Sequence, residues 1–87
     1  MKTLNVAVNE LEPQVRFVVK ELLAHGKEIT MVMEGDLRND PLVDFDDDYS
    51  IQICVDGSYA LTHGEGDELD YLVESDNFAD ILEALNV

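Results

Sequence analysis

From Tyr49 to Val55 the chain alternates strictly, with Tyr49, Ile51, Ile53 and Val55 set against Ser50, Gln52 and Cys54. A period of two places one set on each face of a strand, so this segment predicts a half-buried β-strand with its apolar set inward. Asp56-Gly57 follows as a turn signal, and Tyr59 to Thr62 resumes the alternation. A two-residue turn would set Val55 opposite Ser58 and Ile53 opposite Ala60. A three-residue loop, Asp56-Gly57-Ser58, pairs Val55 with Tyr59 and Ile53 with Leu61. A one-residue slip moves a whole apolar set to the wrong face, so the pattern predicts the three-residue loop.

The other elements follow from similar patterns. Leu4, Val6 and Val8 alternate with polar or small neighbours and predict a short first strand. A helix begins within Asn9 to Pro13, where Asn9 and Glu12 resemble a capping box and Pro13 suits a first turn. Its buried stripe is Leu11, Val15, Val18 and Leu22, with Val19 and Leu23 alongside, and Gly26 is the expected left-handed stop. Phe17 falls off that stripe. It calls for cover from the first strand, a loop or the last helix, or else marks a contact patch.

Ile29 to Glu34 predicts a strand with Ile29, Met31 and Met33 on one face, and Asn39-Asp40-Pro41 a turn. His63 to Glu68 reads as a polar connection. Leu69, Tyr71 and Val73 form the inward face of a last strand in which Leu72 has no clear place. Ser75, Asp76 and Asn77 are alternative N-caps for a helix over 78–85, buried through Phe78, Ile81, Leu82 and Leu85. The order β-α-β-β-β-β-α predicts one α+β domain over residues 1–87. Its four- to five-stranded, mainly antiparallel sheet carries two helices on one face and a polar or acidic second face. At 87 residues the chain buries only about 60–65% of its unfolded surface.

Charge is distributed unevenly. Residues 1–33 balance Glu10, Glu12, Glu21 and Glu28 against Lys2, Arg16, Lys20 and Lys27, whereas residues 34–87 set sixteen acids against Arg38 alone. The net charge of −15 therefore lies on the last two thirds. A magnitude of about 2–8 suffices for solubility in a small domain. Such a surface disfavours nucleic acid and anionic membrane as partners and favours cationic proteins. MKTLNVAVNE has neither the apolar run of a signal peptide nor that of a membrane span, and a lone cysteine, Cys54, fits a reducing compartment. A cytoplasmic location is expected.

The densest acids lie in DLRNDPLVDFDDD, residues 36–48. An EF-hand frame from Asp44 finds Asp46 and Asp48 at positions 3 and 5 but Tyr49 at 6 and Val55 at 12, where Gly and Glu are required. His63, Glu65, Asp67 and Glu68 lack the further imidazole or thiolate of a transition-metal site. Gly64-Glu65-Gly66 has acids where a phosphate loop needs a cation. Acid–base catalysis needs a carboxylate of raised pKa in a pocket, whereas these acids read as exposed. We expect no metal, no cofactor and no catalysis.

An extended strand over 44–48 would space Asp44, Asp46 and Asp48 about 6.6 Å apart on one face. That is close to the phosphate spacing along one nucleic-acid strand. Acids elsewhere would extend the row toward the charge density of a duplex, one charge per about 1.7 Å. In size, charge and element pattern the whole chain resembles the small acidic phage-encoded DNA mimics, the anti-CRISPR and anti-restriction inhibitors. The resemblance implies occupation of the DNA-binding site of a defence nuclease or CRISPR effector, in a host cytoplasm, without chemistry. The expected partner is a basic nucleic-acid-binding protein or complex, met by a monomer or homodimer. The candidate contacts are Asp36, Asp40, Asp44, Asp46, Asp47, Asp48, Glu65, Asp67, Glu68 and Asp70, with Phe45 and Tyr49 as either apolar anchors or core residues. Alternative readings are an immunity protein against a basic nuclease toxin, an acidic calcium-binding domain or a salt-adapted one.

Overall fold

The computed structural model describes residues 11–35, 37–64 and 66–86. Its elements are α1 (Pro13–Ala24), β1 (Ile29–Met33), β2 (Leu42–Phe45), β3 (Tyr49–Ile53), β4 (Tyr59–His63), a 3₁₀ turn (Gly66–Glu68), β5 (Asp70–Ser75) and α2 (Phe78–Ala84). The five strands form an antiparallel meander in the spatial order β1-β2-β3-β4-β5. The class is α+β, as the patterning predicts. The expected first strand at Leu4–Val8 and the Asn9 cap lie outside the described residues.

Helix α1 starts with Pro13 at its first position, where the missing N–H removes no helical bond. It ends in a Schellman motif. Gly26 stands at φ 78°, its N–H donates to the Leu23 carbonyl (3.1 Å), and the Lys27 N–H donates to the Leu22 carbonyl (2.9 Å). Asn77 caps α2, its side-chain oxygen accepting from the Ala79 N–H at 3.1 Å.

One row of core side chains crosses all five strands: Val32, Val43, Ile51, Leu61 and Val73 are successive cross-strand partners. Val15, Val18, Val19 and Leu22 of α1 and Phe78 and Ile81 of α2 pack on this face and complete a single cluster. Leu23 instead faces solvent. Phe17, off the stripe, is half covered by the last helix, its ring edge-on to Phe78 at 5.3 Å.

Strand β2 is a correction to the sequence reading, which left 36–48 without a strand. Val43 and Phe45 point into the core while Asp44 points away, so the acidic stretch contains a half-buried strand. Two bulges overturn further assignments. In β1, Ile29 pairs with Phe45 but Met31 pairs with Asp44, so Thr30 is an extra residue. The bulge reverses the alternation, turning Val32 inward and Met31 and Met33 outward. In β5, Leu61 pairs with Val73 but Thr62 with Tyr71, which makes Leu72 the extra residue. Tyr71 is consequently exposed rather than inward, and Leu72 is exposed beside it.

The β3–β4 hairpin closes one step earlier than predicted. Ile53 pairs with Tyr59 and Ile51 with Leu61, and the Cys54 N–H donates to the Ser58 carbonyl at 2.8 Å. The loop is therefore Val55-Asp56-Gly57, with Val55 in solvent at 97% exposure. Relative to the prediction the register slides by two residues, which keeps the paired side chains on their faces and removes only Val55 from the inward set. Alternation cannot distinguish the two registers; the turn's own bonds decide. Asp56 Oδ1 accepts from the Ser58 hydroxyl (2.7 Å) and the Ser58 N–H (3.0 Å), and Gly57 takes φ 89°. Those two bonds, the hydroxyl's first, hold the Asp56 carboxyl below its ordinary pKa.

Candidate protein-binding surface

A meander returns alternate turns to the same end of the sheet. The β2–β3 turn, Asp46-Asp47-Asp48, and the described residues of the β4–β5 connection, Gly64 and 66–69, therefore share the end where β1 begins. The Gly64 N–H donates to the Asp48 carbonyl at 2.9 Å and fastens the two segments together. His63 pairs with Tyr49 on one side and with Asp70 on the other. Asp47, Asp48, Asp67, Glu68 and Asp70 are all exposed at this end.

Asp46 has a different role. Its Oδ1 accepts from the Glu28 N–H at 2.8 Å, its own N–H donates to the Glu28 carbonyl at 2.9 Å, and Lys27 Nζ lies 3.4 Å from Oδ2. It ties the start of β1 to the β2–β3 turn, and its charge is matched by Lys27. Asp46 and Asp47 also both have positive φ, 47° and 72°. Aspartate tolerates the left-handed region better than most residues, though glycine or asparagine would be the easier choice.

The remaining predicted contacts are dispersed. Asp40 lies at the opposite end, accepting from Gln52 Nε2 at 2.9 Å, on the rim of an open cleft of about 600 Å³. Asp44 is half-buried in mid-sheet on the outer face, where it accepts from the Ser50 hydroxyl at 2.6 Å. Asp36 and Glu65 lie outside the described residues. The straight row of Asp44, Asp46 and Asp48 does not exist, because the strand ends at Phe45 and the chain turns. Five exposed acids, Asp47, Asp48, Asp67, Glu68 and Asp70, instead meet at the sheet end where β1 begins, while Glu34, Asp40, Asp56 and Asp76 lie toward the other.

Of the two aromatics read as either anchor or core, Phe45 belongs to the core. Phe45 is fully buried, and Tyr49 is half-buried between rings, stacked on Phe45 at 5.6 Å and tilted against His63 at 4.5 Å. The exposed apolar side chains beside the acids are Leu69, Tyr71 and Leu72. Alternation assigned Tyr71 to the core, and only the bulge brings it out. The difficulty of placing Leu72 was the available signal.

Among the described residues no three His, Cys, Asp or Glu side chains converge as a metal site requires. No described helix is long and apolar enough to cross a membrane. The chain matches no protein-family model, no curated protein and no solved structure.

Proposed function

We propose that this chain is a non-enzymatic inhibitor that presents the acidic end of its sheet to a cationic groove. It thereby takes the place of nucleic acid in the DNA-binding site of a bacterial defence complex, a CRISPR–Cas effector or a restriction enzyme. The observation that carries this reading is the Gly64–Asp48 hydrogen bond, which holds two acidic segments side by side. Clustering exposed carboxylates raises repulsion within a small, marginally stable domain. Placing Asp47 at positive φ inside that cluster adds backbone strain. A chain that accepts both is using the charge. The charge would steer encounter with a Lys- and Arg-lined groove, within a Debye length of about 8 Å at physiological salt. The mimicry is of local phosphate density rather than of a straight strand.

The test is capture. Tagged protein is incubated with a bacterial lysate containing CRISPR and restriction complexes, then washed with duplex DNA. Release of a basic nucleic-acid-binding complex by DNA is expected. A captured complex that DNA does not displace, or capture of a nuclease toxin whose DNA site stays open, contradicts the proposal.

A further inference from the structure

The acidic end continues directly into an exposed apolar patch. Leu69 follows the 3₁₀ turn, its N–H donating to the Gly66 carbonyl at 3.3 Å, and Tyr71 and Leu72 lie at the β5 bulge. Tyr71 is 64% exposed and Leu72 48%. Asp67, Glu68 and Asp70 border the patch in sequence, and Glu74 follows on the same strand. An edge strand that carries carboxylates and a bulge is poorly suited to pairing with another strand edge, which argues against a second copy of this chain as the occupant. An exposed tyrosine on an edge strand whose sequence neighbours include carboxylates suits a cation that is also planar and weakly hydrated. Arginine meets that description, since its guanidinium stacks on aromatic faces while pairing with carboxylates. Lysine, a compact and strongly hydrated charge, gains less from the ring.

We infer that Leu69, Tyr71 and Leu72 form the apolar anchor of the partner-binding surface, and that its occupant is an arginine-bearing segment of a cationic protein. The inference rests on the acidic-docking reading above and adds to it a preference of guanidinium over ammonium. Tyr71 stacks on the arginine, and Asp67, Glu68 and Asp70 pair with the surrounding charge.

Nona-arginine and nona-lysine are the probes, titrated into the whole protein at low salt with backbone amide shifts as the readout. Wild type is expected to bind the arginine peptide about five-fold more tightly than the lysine peptide, with the largest shifts at 66–75. Tyr71→Ala should abolish that preference, weakening the arginine peptide far more than the lysine peptide, and Tyr71→Phe should retain it. Equal affinities in wild type, or a preference that survives Tyr71→Ala, would overturn the inference. The triple variant Asp67→Asn, Glu68→Gln, Asp70→Asn separates the two levels. Undiminished binding of both peptides there contradicts the acidic-docking reading itself, as does failure of wild type to bind either peptide. Because Tyr71 is mostly exposed, its variants should melt as wild type does, which keeps a lost preference attributable to the surface.

Discussion

Gly64 donates its backbone N–H to the carbonyl of Asp48, sixteen residues away, and so makes one acidic surface from two loops. Gly64 is suited to that position. Its φ is 95°, and a Cβ there would run into the Glu68 carbonyl oxygen. Gly64→Ala should therefore destabilise the fold by roughly 1–3 kcal/mol, measured by denaturant unfolding. A change below the precision of that measurement would show that the loop relaxes freely.

Asp46 differs from its neighbours Asp47 and Asp48 in being held by Glu28 and Lys27 rather than exposed. Asp46→Ala leaves the Glu28 N–H without its carboxylate and Lys27 without a partner, for a loss of about 1–2 kcal/mol. Lys27→Ala, which removes only a partly exposed ion pair, should lose less than about 1 kcal/mol. Equal losses in the two variants would assign the whole effect to the ion pair.

Phe45, a candidate anchor, lies in the core, and Tyr71, which alternation placed inward, lies at the surface. Phe45→Ala should remove about 3–5 kcal/mol, much of the stability of a domain this small, so Phe45→Leu provides a milder check. Tyr71→Ala should stay within about 0.5 kcal/mol of wild type. Thermal melting of the variants distinguishes them, and a large loss at Tyr71 would contradict its exposed placement.

Asp47→Gly should stabilise the protein by about 0.5–1 kcal/mol, since it relieves a positive φ and removes one of several like charges. The same variant should associate more slowly with a cationic partner at low salt. Stability and association rate are then expected to move in opposite directions. Faster association together with higher stability would mean that the charge has no role in docking.

The lowered pKa of Asp56 has a defined sign. A carboxyl whose folded pKa lies below its unfolded value of about 3.9 contributes stability that is fully present above that value. The contribution is lost as pH falls through the folded pKa. The difference in melting temperature between wild type and Asp56→Ala should therefore be constant from neutral pH to about pH 5 and narrow below about pH 4. A difference unaffected by acid would assign the Ser58 bonds no linkage to protonation.

Both described helices and the 49–63 hairpin were legible because their apolar periods are unbroken and Pro13, Gly26 and Asn77 mark ends. Strand β2 was not. Leu42, Val43 and Phe45 supply too short a run to stand out from Asp40, Asp44 and Asp46, so the segment read as charge. That omission concealed the site's geometry. With β2 counted, the meander must return 46–48 and 66–69 to one end; without it, 36–48 is a loop with no address. The bulges at Thr30 and Leu72 are decided by the partner strand rather than by the bulged one, so local alternation misassigned Val32, Met31, Met33 and Tyr71. Composition located the charge but could not separate Asp46, held by Glu28 and Lys27, from the exposed Asp47 and Asp48.

The most direct measurement is DNA binding by the captured defence complex, titrated with this protein and with a variant in which Asp47, Asp48, Asp67 and Asp70 become Asn and Glu68 becomes Gln. Wild type should block DNA binding, and excess DNA should restore it. The neutral variant, folded as judged by an undiminished melting temperature, should lose most of the inhibition. A neutral variant that inhibits as well as wild type would contradict the acidic sheet end as the functional surface.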